Sequence, residues 1–328
     1  MAFQILSLSG GGYRGLFTIE ILARLEEKMG RPLHECFDLI AGTSIGGIIA
    51  IGLGMGKSAA DIRASFLQHG ETVFPPPATG KIRKAASFYR ALSNPLYKAE
   101  ALRAIVGEVV GEGTRIGDSK TRLLVPAFNV TTGRVQIFKT PHYHTLTEDQ
   151  HLAAVDVAMA TSAAPLYFPL AKIGSAYFAD GGLVANSPDA CAIHEAIHFA
   201  DEKDMRSINV LSIGTTDAPV GMPASLGGNW GIKSWITDFR LLSVFFAAQS
   251  QLVDFTVKHD LGDNYLRIDA SMSKDHSVDV GLDVAGKDRR GTLIAAAETA
   301  YRQYASHPRL AEMLRHQAVP AGPFLGPR

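Results

Sequence analysis

Cysteine, net charge and long apolar runs are what this sequence has least of. Its two cysteines, Cys36 and Cys191, stand in no Cys-x-x-Cys or metal-type spacing, which excludes a disulfide framework and a thiolate metal centre. Both are flanked by apolar or helical sequence and read as buried free thiols in a reducing cytoplasm. The 32 basic and 32 acidic residues cancel, so no whole-chain field draws in a polyanion, and nucleic acid is disfavoured as a partner. No apolar stretch approaches the about 18 residues of a membrane-crossing helix, so membrane contact is expected to be peripheral. The first residues lack a basic n-region and run at once into strand-like sequence, so no signal peptide is expected. No metal is expected either: no oxygen-rich loop of calcium spacing occurs, and His142 and His144 have no acidic or cysteine partner at ligand spacing.

What is present is a globular composition, 328 residues with 46% hydrophobic and 20% charged, long enough for one large α/β domain or two smaller ones. Three glycine-rich stretches punctuate it. Phe3 to Leu8 reads as a buried strand, and Ser9-Gly10-Gly11-Gly12-Tyr13-Arg14-Gly15 then opens a helix to about Met29. Consecutive glycines bare backbone N–H groups beside a positive helix end, a site for a phosphate or an acyl-transfer oxyanion. The spacing fits neither Gly-x-Gly-x-x-Gly nor a Walker loop. An apolar run over 36–41 next enters Gly42-Thr43-Ser44-Ile45-Gly46 and leaves as a small-residue helix. That strand, turn and helix are the context of a nucleophile elbow, in which Gly42 and Gly46 clear room and Ser44 is thrust outward. Taken alone, the same five residues are equally a helix N-cap turn. A strand over 173–179 ends in Asp180-Gly181-Gly182, a placement suited to a general base and also a common Asp-Gly turn.

Around these lie expected helices over 45–53, 58–69, 99–110, 152–161 and 186–201, a hairpin of 122–129 with 134–139, and a strand over 208–213. From 78 to 99 the sequence is basic without acid, and Arg83, Lys84 and Arg90 stand among aromatics. This stretch suits an anionic headgroup or a phosphate-bearing ligand, or is simply a solvated face. After a glycine- and proline-rich loop over 214–231, a helix over about 232–258 carries a broad apolar face. It reads as a lid, a membrane contact, an oligomer contact or a core-covering helix. A last strand at about 263–268 and helices over 287–304 and 308–317 close the chain. No linker divides it, so a core over 1–215 is expected to continue through 216–328 as one domain.

The three stretches, in this order, resemble the patatin-like phospholipases, whose Gly-Gly-Gly-x-Arg-Gly, Gly-x-Ser-x-Gly and Asp-Gly-Gly patterns are matched across 5–215. The resemblance implies a three-layer α/β/α fold with a mainly parallel sheet, and a Ser/Asp dyad without cofactor. Ser44 would be the nucleophile and Asp180 the base, partly desolvated. Gly10, Gly11, Gly12, Arg14 and Gly15 would form or support the oxyanion loop. Gly42 and Gly46 would shape the elbow, and Gly181 and Gly182 would follow the base. Ser9 departs from the family, which often has Asp or Asn there. The competing Ser, Asp, His triad would draw on His194, His198, His259 or His276. Within the family the chain is most similar to bacterial effectors of cyclic-nucleotide anti-phage signalling. That likeness implies a phospholipase woken by a cyclic dinucleotide, assembling as a homo-oligomer and degrading the inner membrane from the cytoplasmic side.

Overall fold

The computed structural model describes residues 2–75, 94–143, 145–199, 207–216, 220–221, 225, 227–236, 240–272 and 285–319. Arg83, Lys84, Arg90, His144 and His276 lie outside the described residues, as does part of the loop over 214–231.

Among the described residues eight strands form one sheet: β1 (Phe3–Leu8), β2 (Leu39–Gly42), β3 (Arg122–Asn129), β4 (Arg134–Lys139), β5 (Ala171–Ile173), β6 (Ala176–Asp180), β7 (Ile208–Ile213) and β8 (Tyr265–Ile268). Their order is β5-β6-β3-β2-β1-β7-β8, with β4 also paired to β3. The run β3-β2-β1-β7-β8 is parallel, whereas β4, β5 and β6 are added antiparallel.

Parallel strands need both faces covered, and these are apolar on both. Leu6, Leu8, Ile40, Leu123, Leu211 and Ile213 pack to one side. The helices there include α1 (Gly15–Met29), α2 (Ile45–Gly54), α3 (Ala59–Val73), α4 (Ala99–Val110) and α5 (Ala154–Thr161). Ile5, Leu39, Ala41, Leu124, Ile208 and Val210 alternate to the other side. After the short α6 (Gly182–Ala185), α7 (Asp189–Phe199) covers that side with α9 (Arg240–Leu261), which follows α8 (Ile232–Ile236). The closing helices are α10 (Lys287–Tyr304), against α1, and α11 (Pro308–Met313). Helix α2 is buried along its whole length, as its sequence Ile-Gly-Gly-Ile-Ile-Ala-Ile-Gly-Leu-Gly, apolar all round, requires.

Several features differ from the sequence reading, among them the last helix, expected to Gln317, which ends at Met313. The strand over 173–179 is a tight hairpin, β5 and β6, turning at 174–175. The helix expected from Asn186 is preceded by the turn α6 and begins at Asp189. The helix over 232–258 is two segments, of which the second runs on to Leu261. Cys36 is buried, but Cys191 is only half-buried.

The two edges of β3 are shared unevenly. β4 pairs with β3 from Leu124 to Asn129, so every other partner must use the opposite edge. β2 takes that edge over 122–124 and β6 takes it over 127–129, running the other way. The C-terminal ends of β2 and β6 therefore point at each other along one edge of β3. Pro126 sits between them. Its carbonyl faces Gly181, so the amide hydrogen it lacks would have pointed into that gap, where no strand asks for it.

Candidate active site

Each strand end carries one of the motifs. Ser44 follows β2 as the N-cap of α2, with φ 55 and ψ −124, a left-handed conformation that a side chain rarely adopts and that costs about 1–3 kcal/mol. The fold tolerates it because the turn is closed on both sides. A Cβ on Gly42 would strike the Gly46 carbonyl, and one on Gly46 would strike that of Leu8. Asp180 ends β6, where its N–H donates to the Ala163 carbonyl at 3.0 Å.

The two ends converge. The Ser44 hydroxyl donates to Asp180 Oδ2 at 2.8 Å, although 136 positions separate the residues in sequence. The Gly182 amide donates to Asp180 Oδ1 at 2.6 Å, and the Gly181 amide to the Thr161 carbonyl at 3.0 Å. Burial pushes the Asp180 carboxyl up to about 7, against the opposing pull of its bonds from Gly182 and Ser44. Asp180 is thus buried outright rather than partly desolvated. Of the histidines weighed for a triad, His194 and His259 are exposed on the helices of the opposite layer. The carboxylate itself holds the serine.

The glycine loop lies against this pair: a Cβ on Gly10 would come within 3.3 Å of the Ser44 Cβ. Its members divide by what their amides do. Gly10 N–H is spent on the Asn186 carbonyl at 2.8 Å, and Gly15 N–H closes the turn over Gly12–Arg14, so neither is an oxyanion donor as expected from the sequence. The amides of Gly11 and Gly12 have no partner among the described residues. Arg14 braces the loop, donating to the Thr216 carbonyl at 3.0 Å and to that of Gly11, and Thr215 Oγ1 bonds the Gly10 carbonyl. Ser9 bonds Ser187 at 3.0 Å.

Ser44, Asp180 and the loop glycines open onto one cavity whose walls are mainly apolar, among them Ile45, Ile48, Phe66, Phe74, Leu102, Phe168, Leu242 and Phe246, with Tyr13, Arg14, Ser162 and Asn186 as further polar members. Phe74 meets Tyr97 and Phe168 edge to face, a stiff aromatic wall. The free space is about 80 Å³, room for a handful of waters and not for a long acyl chain. No group of three metal-binding side chains is gathered among the described residues. His142 is instead fully enclosed and bonded to Glu195 at 3.0 Å.

Sequence reasoning passed over Thr161 and Asn186. The Thr161 hydroxyl accepts the Ser44 N–H at 3.0 Å, and Asn186 Nδ2 bonds Ser250 of α9. Their signal was there, in a small polar residue that ends a helix and another shortly after Asp-Gly-Gly, but such residues also occur in ordinary turns.

The family model described as "Patatin-like phospholipase" matches residues 6–190. A Pseudomonas aeruginosa protein named cGAMP-activated phospholipase is 38% identical over 96% of this chain and 93% of its own length. Proteins of the same name from Vibrio cholerae and Escherichia coli are 36% and 34% identical, each over 98% of this chain and over 96% and 94% of their own lengths. With the model matching over half of its length and relatives aligned nearly end to end, this chain belongs to the patatin-like phospholipase family.

Proposed function

We propose that this protein hydrolyses glycerophospholipid esters through an acyl-Ser44 intermediate, with a Ser/Asp dyad and no metal, and that a cyclic dinucleotide of the cGAMP kind switches it on. The observation that carries the reading is the 2.8 Å bond from the Ser44 hydroxyl to Asp180 Oδ2. A carboxylate raised to about 7 is a far better proton acceptor than an ordinary one and is still substantially ionised at neutral pH.

Asp180 takes the hydroxyl proton as Ser44 Oγ attacks the ester carbon. The amides of Gly11 and Gly12 receive the charge that develops on the carbonyl oxygen, assisted by the positive end of α2. Asp180 returns the proton to the departing glycerol oxygen. Water then enters, loses a proton to Asp180 and attacks the acyl-serine, and Asp180 gives that proton back to Ser44 Oγ as the fatty acid departs. The metal-free reading rests on this balance, since amides meet the oxyanion and one carboxylate carries every proton.

Activation by cGAMP is carried over from the names of the relatives, and the tightness of the cavity supports a resting state that must open. Action at the inner membrane and assembly into an oligomer, as expected of an anti-phage effector, belong to the same proposal. A fluorophosphonate probe tests the core of it. Labelling at Ser44, abolished in Ser44→Ala, is expected; labelling that survives in Ser44→Ala refutes the assignment. Release of fatty acid from phospholipid vesicles only when cGAMP is added tests the switch, and equal release without it removes the activator.

A further inference from the structure

The end of α5 and the residues that follow it are fastened to both members of the dyad. Thr161 Oγ1 accepts the Ser44 N–H at 3.0 Å, the Thr161 carbonyl accepts the Gly181 N–H at 3.0 Å, and the Ala163 carbonyl accepts the Asp180 N–H at 3.0 Å. Ser162, between them, is held from both sides. Its own amide bonds Met159 and its carbonyl receives the Ala164 amide. Its hydroxyl is the exception. Ser162 is 5% exposed, lines the cavity, and its Oγ has no hydrogen-bond partner among the described residues.

A buried hydroxyl without a partner is costly to keep. One other hydroxyl on the cavity wall, that of Tyr13, also lacks a hydrogen-bond partner among the described residues, but it packs beside Gly70 of α3 rather than at the Asp180 turn. The groups nearer the dyad are engaged. Ser44 and Asp180 hold each other, Arg14 holds two carbonyls, and Asn186 holds Gly10 and Ser250. Ser162 is also placed on a definite side of the reaction. The oxyanion belongs to the glycine loop, whereas the departing oxygen must lie toward Asp180, which protonates it, and Ser162 is tethered to the Asp180 turn.

We propose that the Ser162 hydroxyl binds the leaving-group oxygen during acylation and, in deacylation, the water that takes its place. The inference rests on the Ser44/Asp180 reading above. In the first step Ser162 O–H donates to the ester oxygen as the acyl C–O bond breaks and that oxygen takes the proton from Asp180. In the second, one hydrogen of the water goes to Asp180 while the other is bonded to Ser162 Oγ, the acyl carbon exchanges Ser44 Oγ for the water oxygen, and Asp180 returns its proton to Ser44 Oγ. A hydroxyl is both donor and acceptor and serves both steps without itself gaining or losing a proton.

The test is Ser162→Ala in the full chain, with cGAMP present, on a phospholipid and on a p-nitrophenyl ester. Nitrophenolate departs without help, so its first-turnover burst should keep the wild-type rate while steady turnover slows roughly tenfold and acyl-Ser44 accumulates in intact-mass spectra. With the phospholipid both steps need the hydroxyl, so turnover falls without a burst, and Ser162→Thr restores part of it. Unchanged turnover, or burst and steady rate falling together at an unchanged melting temperature, overturns the assignment. Should the alanine variant melt early, Ser162→Cys, of similar size and a weaker donor, must show the same persistent burst or the idea fails. Failure of the dyad reading looks different, because wild-type Ser44 would then resist the fluorophosphonate.

Discussion

At the scale of single residues, the proposed dyad sets function against stability. An unfolded chain ionises Asp180 in the ordinary carboxylate range, whereas the folded chain holds the proton up to about 7. Between those two values the native state binds a proton that the unfolded state has lost, so this side chain's contribution to stability falls as pH rises through the window. Asp180→Asn removes the buried charge. It should melt a few degrees above wild type near pH 8, lose that advantage near pH 4, and hydrolyse at least about a thousandfold more slowly. Calorimetry at the two pH values together with a vesicle assay checks all three. In the wild type, kcat/KM should climb about tenfold per pH unit below about 7 and level off above it; a flat profile there would remove Asp180 as the base. Ser44 and Asp180 were legible in the sequence because glycines mark them. Thr161 and Ser162 were not, since nothing in a helix-ending Thr-Ser shows that it will be trapped between two distant turns.

At the scale of elements, α9 has two faces with separable roles. Leu242 and Phe246 line the cavity, and Gln249 and Ser250 tie the helix to Asn186 and Leu183. Leu241, Phe245, Leu252 and Phe255 are exposed, and at 100° per residue they fall in one stripe about 80° wide. Under the proposed membrane action, Phe245→Ser and Leu252→Ser should weaken hydrolysis of vesicles several-fold while a soluble short-chain ester is cleaved within about twofold of the wild-type rate. Phe246→Ser should change both rates. Equal losses from the two faces on both substrates would deny that division. Periodicity shows the apolar breadth of this helix but not its orientation, because a stripe of phenylalanines looks the same whether it meets a core, a ligand or water. Helix α2 is legible for the opposite reason, its sequence being apolar on every side. The hairpin of β5 and β6 passes for one strand because Gly174-Ser175 is short enough to hide in an extended run.

At the scale of the whole molecule, a buried polar chain ties the first loop to the last strand. Ser9 bonds Ser187, and Asp189, fully buried, is bonded by Ser187, Ser212 and the Tyr265 hydroxyl. Arg267 joins Ser187 and Ser212 to Asp269, and Asp269 receives the Thr216 amide. Arg267→Met would leave the Asp189 charge without its neutralising cation, and should cost about 3 kcal/mol in urea denaturation. An unchanged midpoint would mean that the hydroxyls alone suffice. The head-on arrangement of β2 and β6 has a longer reach. Their last pairs with β3 fall at Leu124 and Ala127, three residues or about 10 Å apart. Sheet register, and neither reactive loop, thereby fixes the interval between hydroxyl and carboxylate. Extra residues in the exposed turn before β4 would be absorbed by solvent, while a slip of one residue in β6 would carry the acid to the opposite face of the sheet. Insertions between residues 44 and 180 are therefore harmless only where they bulge into solvent, and an added or lost residue along β3 would pull the two reacting groups out of reach of each other.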